Sequence, residues 1–131
     1  MAKRISRYHQ KEKVSSVRRG EFYLVSFDPT VGHEIQKTRP ALVIQNDVGN
    51  QYSPLTIVAA VTSKVSGVPF PVEVVIGPTK GNGLESHSAI RLDQIRTVDR
   101  QRLLRRLGSV DPAIMRKVDE AIKISVGLVE L

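Results

Sequence analysis

Four short segments carry side chains suited to work on a phosphate. Arg39-Pro40 stands where a turn-rich stretch enters an apolar run, so an arginine there can be held rigid with its guanidinium pointing outward. Its planar fork matches two phosphate oxygens at once. Thr62-Ser63-Lys64 ends another apolar run with three polar groups able to reach a phosphate. Arg91-Leu92-Asp93 sets an arginine and an aspartate on the same side of a strand, because side chains alternate there, and the aspartate is a candidate base. His33 lies in the turn-rich segment before Arg39, and a histidine can share or donate a proton near neutral pH. Each pattern also has an ordinary structural meaning: a surface Arg39–Glu34 pair, a strand becoming a loop, an Arg91–Asp93 salt bridge, an exposed loop histidine. Spacing alone favours those.

Cleavage of an RNA phosphodiester without a metal ion is one chemistry open to these groups, which by themselves leave the function undecided. The three histidines, His9, His33 and His87, have no ligand-like spacing, and the acidic residues are scattered, so a catalytic metal site has weak support. There is no Walker loop, no GxSxG and no HExxH. Cysteine is absent, which excludes disulfides, zinc–thiolate sites and cysteine nucleophiles. RNA brings its own nucleophile, the 2′-hydroxyl beside the phosphorus. A protein then has to accept that proton, stabilise the extra charge on phosphorus and help the 5′-oxygen leave.

These side chains need a scaffold, and the apolar pattern supplies one. Residues 21–27 alternate in part and are rich in strand formers, and Asp28-Pro29-Thr30-Val31-Gly32 breaks that strand. Residues 41–45 and 55–62 are short continuous apolar runs, expected as buried strands, with a loop across 46–54 between them. Residues 68–76 read as an edge strand because of Pro69 and Pro71, residues 77–83 as a loop, and residues 87–92 as a further strand. Residues 98–106 suggest a short helix. Asp111-Pro112 is a helix start, with Asp as cap and Pro in the first turn. Ile114, Val118, Ala121, Ile122, Ser125 and Leu128 then recur at three- and four-residue steps and mark one buried face. The expected fold is mainly β: a small antiparallel β-barrel closed or flanked by a C-terminal helix.

Composition sets the outer bounds. The chain has 131 residues, 40% hydrophobic and 25% charged, in keeping with one modest globular core. No apolar run approaches the roughly 20 residues of a membrane span, and the basic N-terminus lacks the apolar stretch of a secretory signal. A cytoplasmic location is the expectation. Residues 1–19 hold seven of the 20 basic side chains against one acidic residue, Glu12, so most of the formal charge of +7 sits there and the rest is nearly neutral. The organisation expected is a basic, solvated arm over residues 1–17 and one domain over residues 18–131. Such an arm attracts RNA through phosphate contacts, and any site on the body has to come from local clustering.

A set of ordered motifs sharpens this. Arg19-Gly20-Glu21, Asp28-Pro29-Thr30-Val31-Gly32-His33-Glu34 and Thr38-Arg39-Pro40-Ala41-Leu42-Val43-Ile44-Gln45-Asn46-Asp47 resemble the opening of the MazF/PemK family of toxin ribonucleases. Residues 58–62 continue the likeness, as do Asp93-Gln94-Ile95-Arg96-Thr97-Val98-Asp99 and Arg102-Leu103. The resemblance spans nearly the whole domain. It implies the SH3-like barrel with C-terminal helix shared with the gyrase-poisoning CcdB toxins, a symmetric homodimer binding single-stranded RNA at its interface, an acidic antitoxin partner and no cofactor. It also implies catalytic roles for Arg39 and Thr62, as in the MazF branch, and for His33, Arg91 and Asp93, as in the PemK branch, with Asp93 as base, Arg91 as acid and His33 as a supporting group. Lys37, Gln45, Asn46, Ser63, Lys64 and Gln94 are the expected RNA contacts. Arginine is not a base at neutral pH, so Arg39 suits charge stabilisation, and an adjacent Arg91 would make Asp93 more acidic. The segment Ile35-Gln36-Lys37 departs from the glycines common in the family. A CcdB-like gyrase poison is a weak rival, because that branch depends on a terminal Trp-Gly-Ile and this chain has no Trp. A non-catalytic RNA-binding barrel is the other rival.

Overall fold

The computed structural model describes residues 11–29, 31–34, 37–68 and 70–130. Its elements run β1 (Glu21–Ser26), β2 (Thr38–Val43), α1 (Asp47–Tyr52), β3 (Leu55–Thr62), β4 (Glu73–Ile76), β5 (Ser88–Asp99), a 3-10 turn (Arg100–Arg102), β6 (Leu103–Ser109) and α2 (Pro112–Ser125). The strands form one antiparallel sheet in the order β4-β5-β3-β2-β1-β6.

The apolar runs are continuous because both sides of the central strands are covered. Phe22, Leu42, Ala59, Val61, Ile90 and Leu92 lie with Val118 and Ala121 of α2 in one core cluster. Tyr23, Val25, Ala41, Val43, Val58 and Ala60 form a second with Val17, Phe27, Val98 and Leu103. A strand buried on both faces loses its polar alternation.

The sheet is not closed into a barrel strand to strand. A loop bridges its two edges instead: Ser109 N–H donates to the Gly81 carbonyl at 2.7 Å. Gly83 has φ +66°, and a Cβ there would meet the Leu107 carbonyl oxygen at 2.1 Å, so only glycine permits this approach of the β4–β5 loop to β6.

Several elements differ from the sequence reading. Residues 46–54 hold α1, not a plain loop. Asn46 caps it by accepting from Gly49 N–H at 2.8 Å, and the buried Asn50 accepts from Thr56 Oγ1 at 2.7 Å. Residues 98–106 are not helical: they are the end of β5, the 3-10 turn and the start of β6, paired to β1. β4 keeps only four residues, while β5 runs on to Asp99. Leu128 lies beyond α2 and is exposed.

The N-terminal segment also differs where it is described. Glu12 N–H donates to the Leu104 carbonyl at 2.7 Å and Lys11 Nζ to the Leu103 carbonyl at 2.6 Å. Tyr23 Oη donates to the Ser16 carbonyl at 2.8 Å, and Val17 is buried. Residues 11–17 therefore lie along the open edge of β6 and cover the second core cluster.

Candidate active site

Three chain segments meet at one end of the sheet. Arg39 is the second residue of β2, opposite Val25. Thr62 ends β3 opposite Ala89. Arg91 lies on β5, opposite Ala60 of β3 and Glu73 of β4. The β1–β2 loop brings His33, Glu34 and Lys37 over the same place. Together with Lys64, these side chains line an open groove of about 380 Å³. A second hollow of about 240 Å³ shares Arg39 and is lined also by Ser63, Glu85, Ser86 and Ser88.

Four cations, Lys37, Arg39, Lys64 and Arg91, line the groove with one carboxylate, Glu34, and two further carboxylates, Asp93 and Glu73, stand beside Arg91 outside its lining. Glu34 is engaged locally, its Oε1 accepting from Val31 N–H at 2.8 Å. Thr62 is buried, and its hydroxyl oxygen accepts from Lys64 N–H at 3.1 Å. That contact leaves the hydroxyl proton available to a phosphate oxygen. Lys37 has φ 66°, a left-handed conformation unusual for a side chain of its size, and its N–H donates to Asp28 Oδ1 at 2.9 Å.

Asp93 enters the site through Arg91. The pairing of β3 and β5 steps from Ala59↔Ile95 to Ala60↔Arg91, so residues 92–94 bulge out of the ladder. Leu92 N–H turns to the Val72 carbonyl at 2.8 Å, and the bulge aims Asp93 back along its own strand. Arg91 Nε reaches Asp93 Oδ1 at 2.8 Å and Nη2 reaches Oδ2 at 2.7 Å, a two-pronged ion pair. The hydrogen bonds from Arg91 hold the Asp93 carboxyl below the usual carboxylate range, and the same bonds raise Arg91. Asp93 in this state is a weak base.

Of the expected residues, the structure thus gathers Arg39, Thr62, His33, Arg91, Lys37 and Lys64, with Asp93 held behind Arg91 and Ser63 in the adjoining hollow. Gln45 and Asn46 are elsewhere, past the far end of β2. Gln45 Nε2 donates to Asn50 Oδ1 and to the Leu55 carbonyl, both at 3.0 Å, and Asn46 caps α1. Gln94 sits half-buried in the bulge and does not line the groove. Ile35 and Gln36 lie outside the described residues. Glu73 was missed by sequence reasoning: it faces Arg91 across β4–β5, and its Oε1 is buried without a hydrogen-bond partner among the described residues. Only the strand register reveals it. Among the described residues no three His, Asp or Glu side chains gather where they could share a metal ion.

Comparison with known proteins fits this geometry. Residues 18–126 match the model of the PemK-like, MazF-like toxins of type II toxin–antitoxin systems. The chain belongs to the PemK/MazF-like toxin family. It is 46% identical over 114 residues to the endoribonuclease EndoA of Bacillus subtilis, covering 87% of this chain and 97% of that one. MazF of Deinococcus radiodurans superposes with a TM-score of 0.73 at 26% identity, covering 86% of this chain and 97% of the other. A MazE–MazF complex from the same organism gives 0.69 at 25% identity, covering 87% and 98%. The family match begins at Arg18, so the segment on the β6 edge of this PemK/MazF-like toxin lies outside it.

Proposed function

We propose that this toxin is a metal-independent endoribonuclease that cuts single-stranded RNA, mRNA included, at preferred sequences, and so arrests translation and growth. The observation that carries the reading is the groove itself: four cations around a buried threonine hydroxyl, with a histidine on the overlying loop. Its relatives include a named endoribonuclease and a toxin in complex with MazE.

The chemistry follows from those groups. The 2′-oxygen attacks the adjacent phosphorus, and the P–O5′ bond breaks. The products are a 2′,3′-cyclic phosphate and a 5′-hydroxyl. Arg39 stabilises the doubly charged phosphorane with its planar fork, and Thr62 donates its hydroxyl proton to a non-bridging oxygen. Arg91 turns from Asp93 to the incoming phosphate. Asp93 then loses the partner that keeps it acidic and takes the 2′-hydroxyl proton, while His33 supplies one to the departing 5′-oxygen. Lys37 and Lys64 hold the flanking backbone. No cofactor enters.

A symmetric homodimer with the RNA at its interface, a cytoplasmic location and an acidic antitoxin seated over the cationic groove complete the proposal. No helix among the described residues is long and apolar enough to cross a membrane. The test is to digest a long mixed RNA in excess EDTA and map the new 5′ ends. The expected result is a short recurrent cut motif with 5′-hydroxyl ends. Random ends, 5′-phosphates or a strict need for magnesium would refute it.

A further inference from the structure

Two arginines outside the groove grip the root of the loop that carries His33 and Lys37. Arg102 Nη1 donates to the carbonyls of Ser26, at 3.1 Å, and Asp28, at 2.5 Å. Arg96 Nη1 donates to the carbonyl of Phe27 at 2.5 Å, and its Nη2 to that of Pro29 at 3.5 Å. Four successive carbonyls are therefore taken alternately by two guanidiniums. Each guanidinium takes two of the four, and neither takes two neighbours.

Both arginines are themselves anchored. Arg96 projects from β5, where it pairs with Val58 of β3, and its guanidinium carbon stands 5.9 Å from the centre of the Phe27 ring. Phe27 is buried. Arg102 ends the 3-10 turn that Asp99 caps by accepting from Gln101 N–H at 2.8 Å. The clasped backbone is also closed on itself: Phe27 N–H donates to the Lys37 carbonyl at 2.9 Å, and Lys37 N–H to Asp28 Oδ1. Whatever orients residues 26–29 orients both ends of the loop that overhangs the groove.

We propose that Arg96 and Arg102 are positioning residues that set the height and direction of the β1–β2 loop, and with it His33 and Lys37, over the cleavage groove. Neither lines the groove, so their effect passes through the four carbonyls. Lysine keeps the charge but cannot bridge two carbonyls with one planar group. The inference rests on the proposed cleavage reaction for its rate readout, but not for its structural one.

The test compares the wild-type chain with Arg96→Lys, Arg102→Lys and the double variant. Three quantities are read: amide hydrogen exchange of residues 31–34, single-turnover cleavage at saturating RNA, and binding of a 2′-deoxy analogue. The expected result is faster exchange in the loop with unchanged protection in β3 and β5. Cleavage should fall on the order of 10- to 100-fold, as for a misplaced reacting group, while analogue affinity changes little. Equal exchange and equal cleavage in all variants would overturn the proposal. So would a cleavage loss matched by lost protection throughout the sheet, since that is ordinary destabilisation. If the double variant does not fold, the single lysine variants decide. A wild-type chain that cuts no RNA defeats the proposed reaction, and loop exchange still decides the clamp.

Discussion

Replacing Arg39 with lysine separates charge from geometry. If Arg39 supplied only a positive charge, lysine would serve. A planar two-pronged contact to the phosphorane is beyond a single ammonium. Losing one well-placed donor to a developing oxyanion lowers the rate by about 10²–10³. Arg39→Lys is expected to lose that much in single-turnover cleavage and far less in RNA affinity, because Lys37, Lys64 and Arg91 remain. Near wild-type cleavage would move the leading role to Arg91. Asp93 makes a second residue-scale prediction. Its carboxyl is more acidic in the folded chain than in the unfolded one, chiefly through its hydrogen bonds to Arg91. The Arg91–Asp93 contribution to stability is therefore complete above the ordinary aspartate range and is lost as pH falls through the lower folded value. The pair is more than a third exposed on the Asp93 side, so the contribution is below about 1 kcal/mol. Asp93→Asn should flatten the acid limb of the stability–pH curve only slightly, while single-turnover cleavage falls steeply. Denaturant melts from pH 6 downward, read beside cleavage rates, check both.

At the scale of elements, the segment 11–17 works as a strap on the β6 edge. Tyr23 ties it down from beneath, and burial, with Glu21 nearby, pushes the Tyr23 phenol up to about 12. A phenol with a raised folded value stabilises the fold fully below its ordinary value near 10 and ceases to do so as pH rises through about 12. Tyr23→Phe is expected to lose about 1 kcal/mol at neutral pH and to remove most of the stability lost between pH 10 and 12, as measured by alkaline denaturant melts. An unaltered alkaline limb would contradict this. The strap also changes how a truncation must be made: deleting residues 1–17 would strip Val17 from the core as well as charge from the tail. The sequence announced β1, β3 and α2 clearly, because burial on both faces or on one helical stripe leaves a plain apolar pattern. It misled at residues 98–106, where pairing of Leu103, Arg105 and Arg106 with β1 makes a strand of the expected helix. α1 was hidden because Asp47, Gly49 and Asn50 are poor helix formers, and the turn exists through Asn46 capping and the Asn50–Thr56 contact. For the site, Arg39, Thr62 and Arg91 were legible as motifs. Glu73 was not, and Arg96 and Arg102, although inside quoted motifs, gave no sign of their contacts, because these partners are set by strand register and by backbone carbonyls far away in sequence.

Across the whole molecule, charge is divided between two places with different tasks. Most of the net positive charge lies in residues 1–19, while the groove draws its field from four side chains brought together by folding. If the first kind of charge contributes to RNA binding, that contribution is expected to weaken as salt rises. The second is assembled by the fold and, in the proposed reaction, stands where negative charge grows on phosphorus. In the proposed reaction this groove uses the nucleophile already present in RNA. The most direct measurement is single-turnover cleavage, in excess EDTA, of two matched RNAs that differ by one 2′-deoxy substitution at the nucleotide 5′ to the mapped cut. The expected outcome is full cleavage of the all-ribose strand, and a modified strand that binds but stays intact. Cleavage of the modified strand at that bond, or recovery of activity only on adding magnesium, would contradict it.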